Sequence, residues 1–165
     1  MVRKLSLCGM LIAISFLLSN IKIMGSVSFD SLPAFLAGLL MGAGYATIIA
    51  IIGHLLSALL AGFPFGLFAH FFIAIMMGIA VCIFALIYQA MLKRYTFMVS
   101  AFVAGVAGVL LNGPISVFLL QPLLVPIVGT VGLSFLTFTL TVVSFANITG
   151  AIVISYLLKR VWNLS

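Results

Sequence analysis

Acidic side chains are almost absent from this sequence, which contains a single aspartate, Asp30, and no glutamate among its 165 residues. Charged residues of both signs make up only 5% of the chain, against roughly a quarter in soluble domains. A chain so poor in charge cannot cover a folded surface that faces water. One carboxylate also cannot supply the paired acids of acid–base or two-metal catalysis. The sequence lacks a Gly-Lys-Ser or Gly-Lys-Thr phosphate loop as well, so we expect neither a soluble domain nor an enzyme.

Apolar residues, by contrast, make up 66% of the chain, and the mean hydropathy is +1.51. Lipid is the solvent that suits this composition, and the length fits one transmembrane domain over residues 1–165. Six of the seven cations lie in three adjacent pairs, Arg3-Lys4, Lys93-Arg94 and Lys159-Arg160. Cations that flank apolar runs mark the cytoplasmic side of a membrane protein. We therefore predict an all-α integral membrane protein with both termini in the cytoplasm.

The number of membrane spans depends on the long apolar stretch 32–62, which Gly42-Ala43-Gly44 interrupts. As one helix, this stretch gives five spans and places Lys93-Arg94 outside. As two helices it gives six spans with all three cation pairs inside, although the first half has about 11 residues against the roughly 20 that cross a bilayer. Short helices are tolerated where protein covers them. The placement of charge favours six spans.

Proline and glycine recur between residues 114 and 132, at Pro122, Pro126 and Gly129 among other positions. Both residue types interrupt regular helices. We therefore expect an irregular stretch here, before a last helix that runs from about Leu133 to Leu158.

Small residues recur at four-residue spacing in five places along the chain. Such pairs let helix backbones approach closely in lipid, where packing drives association. Most of them are expected to pack inside the protein, but the pair nearest the N-terminus could face another protein. The pairs are Gly9 and Ala13, Gly38 and Gly42, Ala74 and Gly78, Ala101 and Gly105, and Ala146 and Gly150.

Polar residues inside the apolar segments are the candidates for binding a ligand. On the last helix the 4-3-3 spacing of Thr137, Thr141, Ser144 and Asn147 places them on one face. The threonine hydroxyls could simply bond their own backbone carbonyls, whereas an unpaired Asn147 amide would be costly in lipid. His54 could instead be a helix-packing donor, and Asp30 could pair with Lys22 in a loop. The other candidates are Asn112, His70 and Gln121.

The shortage of charged residues also limits the kinds of ligand that the protein can bind. An anion would need fixed cations, and a cation would need more than Asp30. A neutral, partly aromatic molecule suits amide, hydroxyl and imidazole groups lying among phenylalanines. The nearby phenylalanines are Phe65, Phe68, Phe71 and Phe72, although such residues also pack internally or face lipid.

Three segments resemble the substrate-binding S components of energy-coupling factor (ECF) vitamin transporters. They are Ser28-Phe29-Asp30-Ser31-Leu32-Pro33, Leu36-Ala37-Gly38-Leu39-Leu40-Met41-Gly42 and Gly53-His54-Leu55-Leu56. The resemblance extends over essentially the whole chain. Many members of the family carry an acidic residue where this chain has His54, so the family's role for that position cannot be transferred.

The resemblance implies a function and a set of partners. An S component binds a vitamin or precursor from outside the cell, docks onto a membrane coupling subunit with two ATPases, and topples to release its cargo. Residues 19–31 would form a lid with Phe29 and Asp30 near the ligand. Gly9 and Ala13 would contact the coupling subunit. The subfamily that the chain resembles most takes α-ribazole, an uncharged cobalamin precursor, although riboflavin or a modified nucleobase would also suit the charge argument.

These expectations describe a multi-pass protein of the bacterial cell membrane that needs no cofactor, metal or nucleic acid. The alternative is a small membrane scaffold or assembly protein without a small-molecule ligand, in which the small-residue faces all contact partners. A self-contained transporter that moves substrate without ATPases is a further alternative.

Overall fold

A computed structural model describes residues 2–23 and 27–162 of the chain. Helices form nearly all of this part, and one two-stranded antiparallel ribbon pairs Lys22 with Ser28 and Ile23 with Val27. In chain order the elements are α1 (Val2–Leu18), β1 (Lys22–Ile23), β2 (Val27–Ser28), α2 (Leu32–Leu40), α3 (Ala43–Leu60), α4 (Leu67–Leu92), α5 (Phe97–Leu110), a π-helical turn (Leu111–Ile115), α6 (Ser116–Leu119) and α7 (Gln121–Trp162).

Four segments of the described chain are long and apolar enough to cross a membrane: Ala43–Leu60, Leu67–Leu92, Phe97–Leu119 and Gln121–Arg160. The protein is therefore an all-α membrane protein, as predicted. Helices α1 and α2 are shorter, with 17 and 9 residues respectively. The crossing of the bilayer by these two helices, and the cytoplasmic position of both termini, stay predictions.

The apolar stretch 32–62 forms two helices that separate where the glycines predicted a break. Gly42 adopts φ 96°, a left-handed conformation that glycine reaches without steric cost. Pro33 lies in the first turn of α2, where its missing N–H removes no helical bond. Every residue from Pro33 to Leu39 is buried, so protein rather than lipid surrounds this short helix.

Close helix approach builds the main core. The rings of Phe35 in α2 and Phe84 in α4 meet edge to face with centroids 5.0 Å apart, and both side chains are fully buried. A Cβ atom at Gly38 would lie 3.2 Å from both Ala85 and Phe84, so a glycine permits this contact. Gly38 of α2 thus packs inside the bundle, and both members of the α5 pair, Ala101 and Gly105, are also buried.

The stretch that was expected to be irregular is mostly helical, although a turn at Leu120 and a break at Gly129 interrupt it. Helix α7 begins at Gln121, and Pro122 fits its first turn because the N–H groups there have no helical acceptor. The helix is broken only at Gly129, which adopts φ 71°. Apolar packing of Leu124, which is 1% exposed, holds the segment before the break against the bundle.

Candidate functional site

A cavity lies between the loop that joins α1 to α2 and the helices α3, α4 and α7. Its volume is about 60 Å³. Ten of the lining side chains are apolar, and Phe65 is the aromatic one among those described. The polar lining residues are Ser28, Asp30, Ser31, His54, Asn112, Ser116, Ser144 and Asn147. We call these eight polar residues the polar wall of the cavity and the ten apolar residues its apolar wall.

The π-helical turn brings Asn112 to this cavity. Pro114 lacks the N–H that would continue α5, so the helix widens at Leu111–Ile115 and redirects the chain. Asn112 Nδ2 and Ser144 Oγ on α7 are 2.8 Å apart. The turn sits so close to α7 that a Cβ atom on Gly113 would lie 2.9 Å from Thr141 Oγ1.

Asn147 connects α7 to the α1–α2 loop. Its side chain is 1% exposed, and Nδ2 donates to the Ser28 carbonyl at 3.3 Å and to Ser31 Oγ at 2.8 Å. Within the described residues, Asn147 Oδ1 has no hydrogen-bond partner. The amide thus holds the loop with its donors and retains an unused acceptor.

A chain of hydrogen bonds joins the same loop to α3 and α4. Asp30 Oδ2 and His54 Nδ1 are 3.1 Å apart, and His54 Nε2 and His70 Nδ1 are 3.3 Å apart. His70 Nε2 accepts from the backbone N–H of Phe65 over a long 3.5 Å. Because an amide N–H only donates, neutral His70 must donate to His54 through Nδ1, and neutral His54 must donate to Asp30. In this series of hydrogen bonds Asp30 is therefore the acceptor.

The turn between α3 and α4 places Phe65 at the end of this series of hydrogen bonds. Gly62 and Gly66 have φ values of 72° and 83°, and Phe63 is held at φ 51°, a conformation that non-glycine residues rarely adopt. The Phe65 ring stacks on His70 with centroids 5.6 Å apart and an angle of 8° between the planes. Phe65 thus covers the imidazole and also lines the cavity.

The close packing of α1 against α3 brings the loop to His54. A Cβ atom on Gly53 would lie 2.9 Å from Ser15 Cβ and 4.0 Å from the Asp30 carbonyl oxygen. A glycine before His54 therefore lets both α1 and the loop come close to α3. The Gly-His pair that the sequence analysis singled out is explained by this approach.

The structure brings five of the predicted ligand residues to the cavity wall. His70 lies behind His54, and Phe29 is half-buried outside the wall. Thr141 donates to the Thr137 carbonyl at 2.7 Å, which is the self-bonding considered from the sequence. Gln121 is exposed in a separate shallow groove beside Pro122 and Pro126. The five residues at the wall are Asp30, His54, Asn112, Ser144 and Asn147, and their contact with a ligand stays a prediction.

Two further expectations concern neighbouring side chains. Phe68, Phe71 and Phe72 are exposed on α4, away from the cavity, and the ring of Phe65 alone among the four lines it. The side chain of Lys22, considered as a partner of Asp30, lies outside the described residues. Asp30 instead bonds His54.

Sequence reasoning missed the serines of the loop. Ser28 Oγ is 3.3 Å from Ser57 Oγ on α3, and Ser31 accepts from Asn147. Ser116, which follows the π-helical turn, also lines the cavity. Polar residues on both sides of the single aspartate were the available signal, because a buried acid recruits polar neighbours.

The surface of α1 that carries Gly9 and Ala13 is exposed. A Cβ atom on Gly9 would meet nothing within 4 Å. The buried face of this helix instead contains Cys8, Leu11 and Ser15. Gly9 and Ala13 therefore serve no packing role inside the described chain.

An all-α membrane protein with a polar-walled cavity beneath an inter-helix loop is the class that the fold and the cavity define. Over residues 3–161 the chain matches the family described as "ECF transporter, substrate-specific component". Since the match covers nearly the whole sequence, the chain belongs to this family. Members are transporter subunits rather than enzymes, and they act with ECF coupling and ATPase modules on a small-molecule substrate. No curated protein and no solved structure matches the chain.

Proposed function

We propose that this chain is the substrate-binding subunit for ATP-driven uptake of a small uncharged vitamin or vitamin precursor across a bacterial cell membrane. Its substrate passes to an ECF coupling subunit that works with two ATPases. The compound that we propose first is α-ribazole. Family membership supports the transporter role, and the cavity supports a small-molecule substrate.

The observation that carries the proposal is the closure of one polar cavity by the α1–α2 loop. The loop reaches α7 through Asn147 and α3 through the Asp30–His54 contact. Both contacts involve residues that line the cavity. A ligand in the cavity would therefore contact the same residues that hold the loop in place.

The volume of the cavity indicates that this loop must move when substrate enters. Pockets for drug-sized ligands begin near 300 Å³, whereas this cavity measures about 60 Å³. Val27, Ser28, Asp30 and Ser31 all belong to the loop and to the cavity wall. Outward movement of residues 27–31 would enlarge the site and open an entrance.

α-Ribazole suits the two walls of the cavity. Its dimethylbenzimidazole ring system is flat and apolar, and would lie against aliphatic side chains such as Leu136 and Leu140 and the ring of Phe65. Its ribose hydroxyls would face Asn112 and Asn147. Buried amides of this kind need such partners to offset their desolvation.

We further propose six spans with both termini in the cytoplasm. Lys159, from the third cation pair, donates to the Tyr88 hydroxyl at 3.0 Å and lies 5.0 Å from the centre of the Phe97 ring. Tyr88 and Phe97 flank the second cation pair in the sequence. Two of the three pairs thus lie at one end of the bundle, in agreement with a common cytoplasmic side.

The decisive experiment is purification of the chain in mild detergent, followed by mass analysis of small molecules released on denaturation. A stoichiometric amount of α-ribazole or a related nucleoside is the expected result. An empty protein whose melting temperature responds to no vitamin would contradict the proposed function and favour the scaffold alternative.

Replacing Asn147 with alanine is expected to weaken substrate binding by about 10- to 100-fold, because it removes both a ligand acceptor and the donors that hold the loop. Isothermal titration of the purified variant measures this change. Asn20→Ala is the matched control, since Asn20 is exposed and bonds only to the carbonyls of its own helix among the described residues. Equal affinities in the two variants would remove Asn147 from the site.

Replacing both Gly9 and Ala13 with leucine is expected to abolish co-purification with the coupling subunit and to spare substrate binding by the isolated chain. Bulky side chains on an exposed small-residue face prevent close helix approach. Ala146→Leu, on the exposed face of α7, provides a control with the same type of change. Normal complex formation by the double variant would contradict the role of this face.

A further inference from the structure

We propose that Asp30 and Asn147 make the polar wall of the cavity a hydrogen-bond acceptor surface. Its substrate is then a compound that donates N–H or O–H groups and carries no negative charge. This inference rests on the proposed function and narrows it to the chemical groups that the substrate must carry.

The orientation of the Asn147 amide is decided by its partners. The Ser28 backbone carbonyl can only accept, so the atom 3.3 Å from it must be Nδ2. Ser31 Oγ, 2.8 Å from the same nitrogen, uses the second amide proton. The amide has no donor left, and Oδ1 is a buried acceptor without a partner in the described chain. A buried carbonyl oxygen of this kind gains most from a ligand donor.

The orientation of the Asp30 carboxyl follows from the imidazole chain. His70 donates its Nδ1–H to His54 Nε2, so the proton of neutral His54 is on Nδ1 and is donated to Asp30 Oδ2. That contact uses one carboxyl oxygen. Asp30 lines the cavity and is only 5% exposed, so its other carboxyl oxygen can accept from a ligand there. His70 is therefore a positioning residue for this acceptor.

Two of the donors on the same wall are used within the protein. Asn112 Nδ2 bonds Ser144 Oγ, and Ser116 Oγ bonds the Leu111 carbonyl. The Asn112–Ser144 pair can reverse, since a hydroxyl both donates and accepts. This pair can therefore offer a ligand either a donor or an acceptor, whereas Asp30 and Asn147 Oδ1 can only accept.

An anionic ligand would meet this wall at a high cost. No lysine or arginine lines the cavity among the described residues, while the carboxylate of Asp30 does. Like charges a few ångströms apart repel strongly when water is excluded, and a second anion would also lose its own hydration. Carboxylate- and phosphate-bearing compounds are thus excluded, and uncharged compounds with hydroxyl or amide N–H groups are accepted.

Matched pairs of compounds test this inference on the full chain in mild detergent at neutral pH. The pairs are α-ribazole with its 5′-phosphate and riboflavin with its 5′-phosphate, measured by isothermal titration. We expect the phosphorylated form of any bound pair to bind at least 100-fold more weakly than the uncharged form. Asp30→Asn retains an oxygen for His54 and removes the charge, and it should reduce this discrimination about tenfold.

A phosphate group could weaken binding through its charge or through its size. The Asp30→Asn variant separates these two effects, because it removes the charge of the cavity wall and keeps its shape. Discrimination that is unchanged in Asp30→Asn would show a steric effect and overturn the inference. Binding of a phosphate form as tight as that of its parent, or extraction of a carboxylate-bearing compound from the purified chain, would also overturn it. Either result would show that the substrate need not be uncharged, but would leave the role of the chain as a substrate-binding subunit intact. A chain that binds none of the four compounds and releases no small molecule would overturn the proposed function itself.

Discussion

Oxidation of a Ser28→Cys, Ser57→Cys double variant is expected to lock the α1–α2 loop and to abolish substrate binding. The two hydroxyl oxygens are 3.3 Å apart, so sulfur atoms in their places need a small shift to reach the disulfide bond length of about 2.04 Å. Ser28 is in the loop and Ser57 is in α3. The locked cavity keeps its volume of about 60 Å³, which no vitamin-sized compound fits.

Binding should return when the disulfide is reduced, with a difference of at least 100-fold between the two states, which isothermal titration measures. The native thiols, Cys8 and Cys82, are replaced with alanine in all variants so that one disulfide can form. Ser57→Cys alone is the control and should not respond to oxidant. Equal binding by the oxidised and reduced double variant would show that substrate enters by a route that does not involve this loop.

The loop is held by polar contacts that are individually weak. Ser28 with Ser57, Asp30 with His54, and both Ser31 and the Ser28 carbonyl with Asn147 attach it to α3 and α7. A net contribution of about 1 kcal/mol from each such bond gives a total of about 4 kcal/mol. A loop held this strongly opens spontaneously in a fraction of a per cent of molecules, which is enough to admit substrate. Substrate that replaces these contacts can then hold the loop closed.

Much of the fold could be predicted because its signals are local. The Gly42-Ala43-Gly44 interruption predicted the break between α2 and α3, and the structure places a positive φ at Gly42. The prediction missed the start of α7, because it took Pro122 and Gly129 as interruptions, although proline is also common in the first turn of a helix. Packing of Leu124 against Leu136 and Val143 in one apolar cluster decides the outcome, and such contacts are not visible in composition.

The candidate site also contains residues that the sequence could predict and contacts that it could not. The 4-3-3 spacing on α7 predicted a shared face, and its last two members, Ser144 and Asn147, line the cavity. The hydroxyls of Thr137 and Thr141 instead bond carbonyls one turn earlier, so spacing alone could not separate the two pairs. The contacts from Asp30 to His54 and His70 join three different elements, and no period along the chain connects them.

Gly113→Ala is expected to lower the stability of the protein by about 1–3 kcal/mol, the usual cost of overpacking, and to weaken substrate binding at least tenfold. The added methyl group would lie 2.9 Å from Thr141 Oγ1 and 3.1 Å from Thr141 Cα. Neither atom can yield, because one is backbone and the other bonds the Thr137 carbonyl at 2.7 Å. The π-helical turn must therefore move away from α7, and the Asn112–Ser144 bond is lost with it.

Gly105→Ala separates this effect from the general consequence of adding a methyl group to a helix. Gly105 faces the same helix from α5, but its methyl group would lie 3.4 Å from Ile148 Cγ2, an ordinary contact with a side chain. Alanine also favours the helical backbone over glycine by roughly 0.5–1 kcal/mol, so this control should melt at or above the temperature of the native chain. A Gly113→Ala variant that melts and binds like Gly105→Ala would show that the turn is not pressed against α7. Asn112 would then have to be held in the wall by its own hydrogen bond to Ser144 rather than by the packing of the turn.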